Sequence, residues 1–193
     1  MLWARAVDGG GLELRRDENG GARLTGRFPY GSEAVLAEGP GGRRVEVFAA
    51  RAFAPRIDAG DDIHLLSGHD FEKPLASRGA GTLTLRDTPE ALEFEARLSA
   101  EMAGVTFARD FLAAHAAGLI RGLSPGFRVA PDGERIESRG GDLLRTVTRA
   151  ELFELSAVTR PAFADAQIEA RNWTPGAEVP DSGLARALAR WRA

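Results

Sequence analysis

The chain has 193 residues, 44% apolar and 27% charged, which suits one soluble domain with a well-buried core and excludes a disordered or collagenous polypeptide. A formal charge of −3 supplies no general basic field for nucleic acid or an anionic membrane, so neither is expected as a partner. With no Cys and three His, disulfides, cysteine-ligated zinc, iron–sulfur clusters and a cysteine nucleophile are excluded and a metal cage is not expected; chemistry falls to hydroxyls, carboxylates and imidazoles, with no metal or cofactor.

The start, Met1-Leu-Trp-Ala-Arg5, lacks a basic stretch followed by an apolar one, and nowhere do about 18 apolar residues run together. The expected location is therefore the cytoplasm or something assembled there. Lys73 is the only lysine, the other basic residues being arginine scattered among Asp and Glu, a pattern that reads as a solvated surface.

Gly-rich punctuation at Asp8-Gly-Gly-Gly-Leu12, Glu18-Asn-Gly-Gly21 and Glu38-Gly-Pro-Gly-Gly42 separates short alternating segments, 22–28 and 44–48, which predicts strands joined by tight turns. Residues 62–67 form a further strand candidate. Segments 81–86 and 91–98 predict a hairpin around Asp87-Thr-Pro-Glu90, with Leu92, Phe94, Ala96 and Leu98 on one face. The period then changes: Phe107, Phe111 and Ala114 fall at helical spacing, with Thr106 as N-cap and Gly118 as the left-handed stop, predicting a helix over 106–117. Two strand-like runs follow, 123–129 and 142–158, the second long enough for two strands or a strong bend. Residues 1–170 thus form the domain. Residues 171–181, with Pro175, Gly176 and Pro180, predict a linker, and 182–193 a short helix striped by Leu184, Leu188 and Trp191. That stripe either docks elsewhere or packs on the domain.

Three segments concentrate unusual residues at the ends of β elements: Leu65-Leu-Ser-Gly-His69-Asp70, Arg121-Gly-Leu-Ser124-Pro-Gly-Phe127, and 151–162 with Glu154 inside an apolar run. A Ser before Pro-Gly serves a turn as readily as a reaction, and a lone His is commonly structural. Glu154 says more, because a buried carboxylate needs a compensating partner. A serine hydroxyl becomes a nucleophile when an imidazole takes its proton, and that imidazole needs an acceptor to fix its tautomer. Ser124, His69 and Glu154 can fill these roles. His64 and His115 are the other imidazoles: in a regular strand His64 faces away from His69, and His115 falls late in the predicted helix. Glu151 competes with Glu154, and strict alternation sets the two on opposite faces, Glu154 with Leu152 and Ser156. Asp70, adjacent to His69, reads as a turn partner.

Taken together and in this order, the elements Leu-Leu-x-x-His-Asp (65–70), Gly-x-Ser-x-Gly-Phe (122–127) and Glu-x-Ser-x-Val-Thr-x-Pro-Ala (154–162) resemble the caudoviral prohead proteases, the capsid-maturation serine proteases of tailed phages, and most of all those of phage-like gene transfer agents. The resemblance spans about Leu24 to Ile168. It implies a mainly β protein with flanking helices, similar to the herpesvirus assemblin proteases: an antiparallel β-barrel surrounded by a few α-helices. It also implies a triad of His69, Ser124 and a third polar residue, which the family alignment places at Glu154. By the same analogy the 159–163 turn, with Arg160, supplies part of an oxyanion hole. The Gly-Leu-Ser-Pro-Gly run is not an α/β-hydrolase elbow, since β-like sequence follows it and no His does. Two departures stand out: Gly68 where many relatives have Asn, and Ala76 where Gly is common.

The resemblance implies a serine endopeptidase acting in the host cytoplasm inside the assembling prohead, with scaffold or the scaffolding segment of the major capsid protein as substrates, self-cleavage, and a homodimer as one form. Two other readings stay open: a catalytically silent assembly or scaffolding protein of the same fold, and an esterase-like acyl hydrolase, which a deep apolar pocket would favour over a shallow cleft.

Overall fold

Period-two alternation builds most of this chain. The computed structural model describes residues 12–120 and 122–159. In chain order its elements are β1 (Leu12–Arg16), β2 (Ala22–Pro29), β3 (Glu33–Gly39), β4 (Gly42–Phe48), α1 (Ala54–Ala59), β5 (His64–Ser67), β6 (Asp70–Ser77), β7 (Leu83–Asp87), β8 (Ala91–Leu98), α2 (Ala100–Gly104), α3 (Thr106–Ala116), β9 (Gly122–Val129), β10 (Glu134–Arg139), β11 (Asp142–Val147) and β12 (Ala150–Val158).

The strands form three four-stranded sheets, ordered β1-β2-β8-β7, β10-β11-β4-β3 and β6-β5-β12-β9. The protein is therefore mainly β with flanking helices, but the expected closed antiparallel barrel is not what forms. Each sheet is open, and two strand pairs, β4 with β11 and β5 with β12, run parallel. Closure needs ladder hydrogen bonds between the outer strands; here the sheets meet through side chains instead. Phe28 of the first sheet, Phe48 of the second and Phe127 of the third converge with Phe53, at centroid separations of 5.4 Å (Phe28–Phe48), 5.0 Å (Phe48–Phe127) and 5.9 Å (Phe53–Phe127). All three are edge-to-face contacts, with interplanar angles of 82°, 82° and 60°. Gly26 lets β2 approach β9, because a Cβ there would overlap the Phe94 ring and lie 2.9 Å from Leu123.

The hairpin of β7 and β8 forms as expected, with Leu92, Phe94, Ala96 and Leu98 buried. So does α3, whose stop is a Schellman motif: Gly118 has φ +73°, its N–H donates to His115 O, and Leu119 N–H donates to Ala114 O. Thr106 is not the N-cap. Val105 holds that position without a side-chain bond. The run 142–158 divides into β11 and β12. Strands β1, β3, β6 and β10 and helices α1 and α2 were not among the named segments; the 171–181 linker and the 182–193 helix lie outside the described residues.

Two polar contacts bind the sheets internally. Buried Glu46 of β4 accepts from Arg145, its register partner on β11, at 2.9 Å. Tyr30 donates its hydroxyl to Asp87 Oδ1 at 2.7 Å. Burial pushes the Tyr30 phenol far above its ordinary pKa, and the bond to Asp87 pushes the same way. The folded state therefore holds this phenol neutral while the unfolded chain ionises it near pH 10 or so. Its contribution to stability is full below that pH and is lost as pH rises above it. Tyr30 is the sole tyrosine, so phenolate absorbance reports it alone. In an alkaline titration the absorbance is expected to rise together with loss of the β circular-dichroism signal. Ionisation near pH 10 with the fold intact would contradict the buried, hydrogen-bonded phenol.

Candidate active site

The site is assembled on β12, the strand that pairs with both β5 and β9. On its β9 side Ser156 lies opposite Ser124 and Glu154 opposite Gly126; on its β5 side Glu154 lies beside His64 and Ser156 beside Leu66. Directly paired residues share a face of the sheet. Ser124, Gly126, Glu154, Ser156, His64 and Leu66 therefore share one face, while Leu123, Phe127, Leu152 and Leu155 line the core on the other.

This placement depends on an irregularity. The ladder runs Leu152 to Phe127 and then Glu154 to Gly126, so Phe153 is an extra residue on β12, a bulge. It corrects the alternation expected from sequence. Leu152 faces away from Glu154, and Glu151, opposite Arg128, falls on the same face as Glu154. Partners separate the two acids. Glu151 accepts from Arg128 Nε at 3.0 Å on the surface, whereas Glu154 is wholly buried.

His69 comes from the turn after β5. Ser67 pairs with Asp70, leaving a two-residue connection in which Gly68 has φ +67° and His69 φ +61°. Positive φ at both central positions is the demand of a type I′ hairpin turn. Gly and Asn are the residues that meet this demand most easily, and Gly68 meets it here. Gly68 N–H donates to Ala157 O at 3.1 Å, anchoring the turn to β12. The imidazole folds back so that Nδ1 lies 2.8 Å from Glu154 Oε1. The other carboxylate oxygen, Oε2, accepts from Ser156 Oγ at 2.6 Å, and Ser156 Oγ in turn accepts from His69 N–H at 2.8 Å.

The structure thus brings His69 and Glu154 into direct contact although they are 85 residues apart in sequence. Ser124, 4% exposed, lies across the ladder from the serine bonded to both. A carboxylate only accepts, so Nδ1 is the donor, and in a neutral imidazole that leaves Nε2 as the acceptor. The His69 side chain is 31% exposed, open enough to meet a substrate. His64 shares the site face, contrary to the regular-strand expectation, because the turn interrupts the strand; its ring lies 3.7 Å from Asp62 and edge-on to Phe71. His115 bonds Ile120 O through Nδ1 at the end of α3. Asp70 is the turn partner expected of it: it accepts from Glu72 N–H and pairs with Lys73, which holds its carboxyl below the usual range. Residues 160–163 lie outside the described residues. Among those described, no three acidic or His side chains converge to hold a metal, and no helix is long and apolar enough to cross a membrane.

Sequence reasoning passed over Gly126 and Ser156 without giving either a role. A Cβ on Gly126 would overlap Glu154 Oε1 and come within 2.7 Å of its carboxyl carbon, so the glycine provides room for the acid, with no positive φ involved. The signal was present, since a glycine two residues after a serine in a strand marks a close approach. Gly126→Ala is expected to displace the carboxylate and destabilise the fold by about 1–3 kcal/mol. The checks are a denaturant midpoint and the downfield proton resonance of His69 Nδ1–H, and an unchanged pair of readings would mean that the carboxylate does not sit over residue 126.

The chain matches the family model for the caudovirus prohead serine protease over residues 11–177. No curated protein and no solved structure matches it. Residues 11–177 contain all three strands that carry the His69, Ser124 and Glu154 geometry and make up more than half of the chain: the protein belongs to the caudovirus prohead serine protease family.

Proposed function

We propose that the protein is a serine endopeptidase of capsid maturation with Ser124 as nucleophile, His69 as general base and then general acid, and Glu154 as the residue that orients His69. Scaffold or the scaffolding segment of the major capsid protein is the substrate, cut inside the prohead, and the enzyme also cuts itself. The observation that carries the reading is the fully buried Glu154 carboxylate bonded to His69 Nδ1, on the sheet face shared with Ser124.

In this mechanism Ser124 Oγ attacks the scissile carbonyl as His69 Nε2 takes its proton. The imidazolium then gives that proton to the leaving amine, and a water repeats the cycle on the acyl-enzyme. Glu154 holds the Nδ1–H tautomer and stabilises the imidazolium without itself taking the proton. Donors face both oxygens of this buried carboxylate, replacing the hydrogen bonds that water would make. Family membership supports capsid proteins as the substrate class.

Co-expression of the wild type or Ser124→Ala with its own capsid protein, followed by intact-mass analysis of both chains, tests the reading. Truncation of the capsid protein by the wild type and its absence with Ser124→Ala are expected, since loss of a triad nucleophile costs on the order of 10⁶ in rate. Identical masses, in cell extract and in purified proheads alike, would favour the silent assembly protein. Glu154→Gln retains the shape but supplies the wrong partner for Nδ1. Its cleavage rate is expected to fall by roughly 10⁴ with the fold intact, measured as the time course of capsid-protein truncation.

A further inference from the structure

We infer that Ser156 is a positioning residue of this site: its hydroxyl locks the backbone of the base to the carboxylate of the acid. The inference rests on the proposed triad. It names a residue to which that triad gives no task.

Ser156 is fully buried in the middle of β12. Buried serine in a central strand has no packing advantage over Ala, and its hydroxyl must find partners. Here it finds one on each side. It accepts from His69 N–H at 2.8 Å and donates to Glu154 Oε2 at 2.6 Å. The proton has no freedom of direction: with an N–H pointing at its oxygen, the hydroxyl hydrogen goes to the carboxylate. This closes a ring from His69 N through Ser156 Oγ and Glu154 to His69 Nδ1, so the backbone and the side chain of one residue are tied to one carboxylate.

The ring fixes two motions at once. Glu154 has rotatable bonds that would let its carboxylate swing away from Nδ1; the bond to Oε2 stops this on one side, and the space over Gly126 limits it on the other. His69, with φ +61°, sits in a backbone region that non-glycine residues seldom adopt, and its N–H is captured there by Ser156. Removing the hydroxyl frees both, and a displacement of about 1 Å in a catalytic group can cost on the order of 10²-fold in rate.

The test uses a fluorophosphonate probe, which needs no knowledge of the natural substrate. Serine Oγ attacks phosphorus, fluoride leaves, and the serine proton passes to the base. Intact mass of the full chain over time gives a maximal labelling rate and a half-saturating probe concentration for wild type, Ser124→Ala, Ser156→Ala and Ser156→Thr, with thermal unfolding measured alongside. Ser156→Ala is expected to lower the maximal rate about 10- to 100-fold, to leave half-saturation within about twofold, and to remain folded; Ser156→Thr, which keeps the hydroxyl, is expected to recover most of the rate. In the Ser124→Ala background, Ser156→Ala is expected to broaden or shift the His69 Nδ1–H resonance, a readout that stands even if the Thr variant fails to fold. Wild-type labelling kinetics in Ser156→Ala, with Ser124→Ala unlabelled, would overturn the inference and leave the triad standing. A loss that merely tracks the unfolded fraction would overturn it too. Labelling that persists in Ser124→Ala, or a wild type that resists the probe, would instead overturn the triad reading itself.

Discussion

The rest of the site follows from one constraint, the burial of the Glu154 carboxyl group. Removing Glu154 from water costs several kcal/mol in a protein interior unless donors replace the lost hydration. Both of its oxygens are supplied, one by His69 Nδ1 and one by the Ser156 hydroxyl. Each donor needs its own support. The imidazole requires a turn that brings it back over the sheet, the hydroxyl requires a strand residue on the same face, and the carboxylate requires empty space where Gly126 has no side chain. The bulge at Phe153 supplies the remaining adjustment, since without the extra residue Glu154 would point with Leu152 into the core.

The turn at Gly68 and His69 is where local cost is accepted for geometry. A non-glycine residue at positive φ is strained by about 1–2 kcal/mol. Ladder pairs on both sides of the turn, the bond from Gly68 to Ala157, and the bond from His69 to Ser156 hold it there. The outcome is an imidazole that is rigidly placed yet a third exposed. Its carboxyl partner is wholly buried. That division suits the proton shuttle proposed for His69, which has to reach solvent-side chemistry while its partner stays out of water.

How far the sequence discloses this varies with the kind of signal. The β7–β8 hairpin and α3 were legible because each carries its own period and stop: four apolar residues at alternate positions in one case, and Gly118 after helical spacing in the other. The pairing of His69 with Glu154 was legible through the motif elements. It was not legible through alternation, which set Glu151 and Glu154 on opposite faces where the bulge puts them on one; Phe153 has neither the Gly nor the turn chemistry that would announce an extra residue. Strand β10, Glu-Arg-Ile-Glu-Ser-Arg, is exposed over nearly all its length and so shows no apolar face, although Gly140-Gly141 after it is a hairpin signal. Helix α1 is a single short segment following a buried Phe53, too brief for a period to emerge. The open sheets were hidden for a different reason. Whether strands close into a barrel depends on pairings between distant segments, and periodicity describes only the face of each strand.

Those distant pairings determine when the site can exist. Strand β12 is the only described element that pairs with both the strand leading to His69 and the strand bearing Ser124, and it also carries Glu154 and Ser156. Before β12 inserts, β5 and β9 have no ladder between them, the turn has no Ala157 carbonyl or Ser156 hydroxyl to hold it, and the imidazole has no acceptor. Loop closure over 85 residues is no great obstacle, because its entropic cost rises only with the logarithm of length. The cost is recovered in one step, when β12 fills the centre of its sheet, buries Leu152 and Leu155 in the core and completes the hydrogen-bonded ring on the opposite face. Packing and the proposed chemistry therefore share a single strand, and a chain that has not folded through residue 158 carries Ser124 and His69 without the geometry that the proposed mechanism requires.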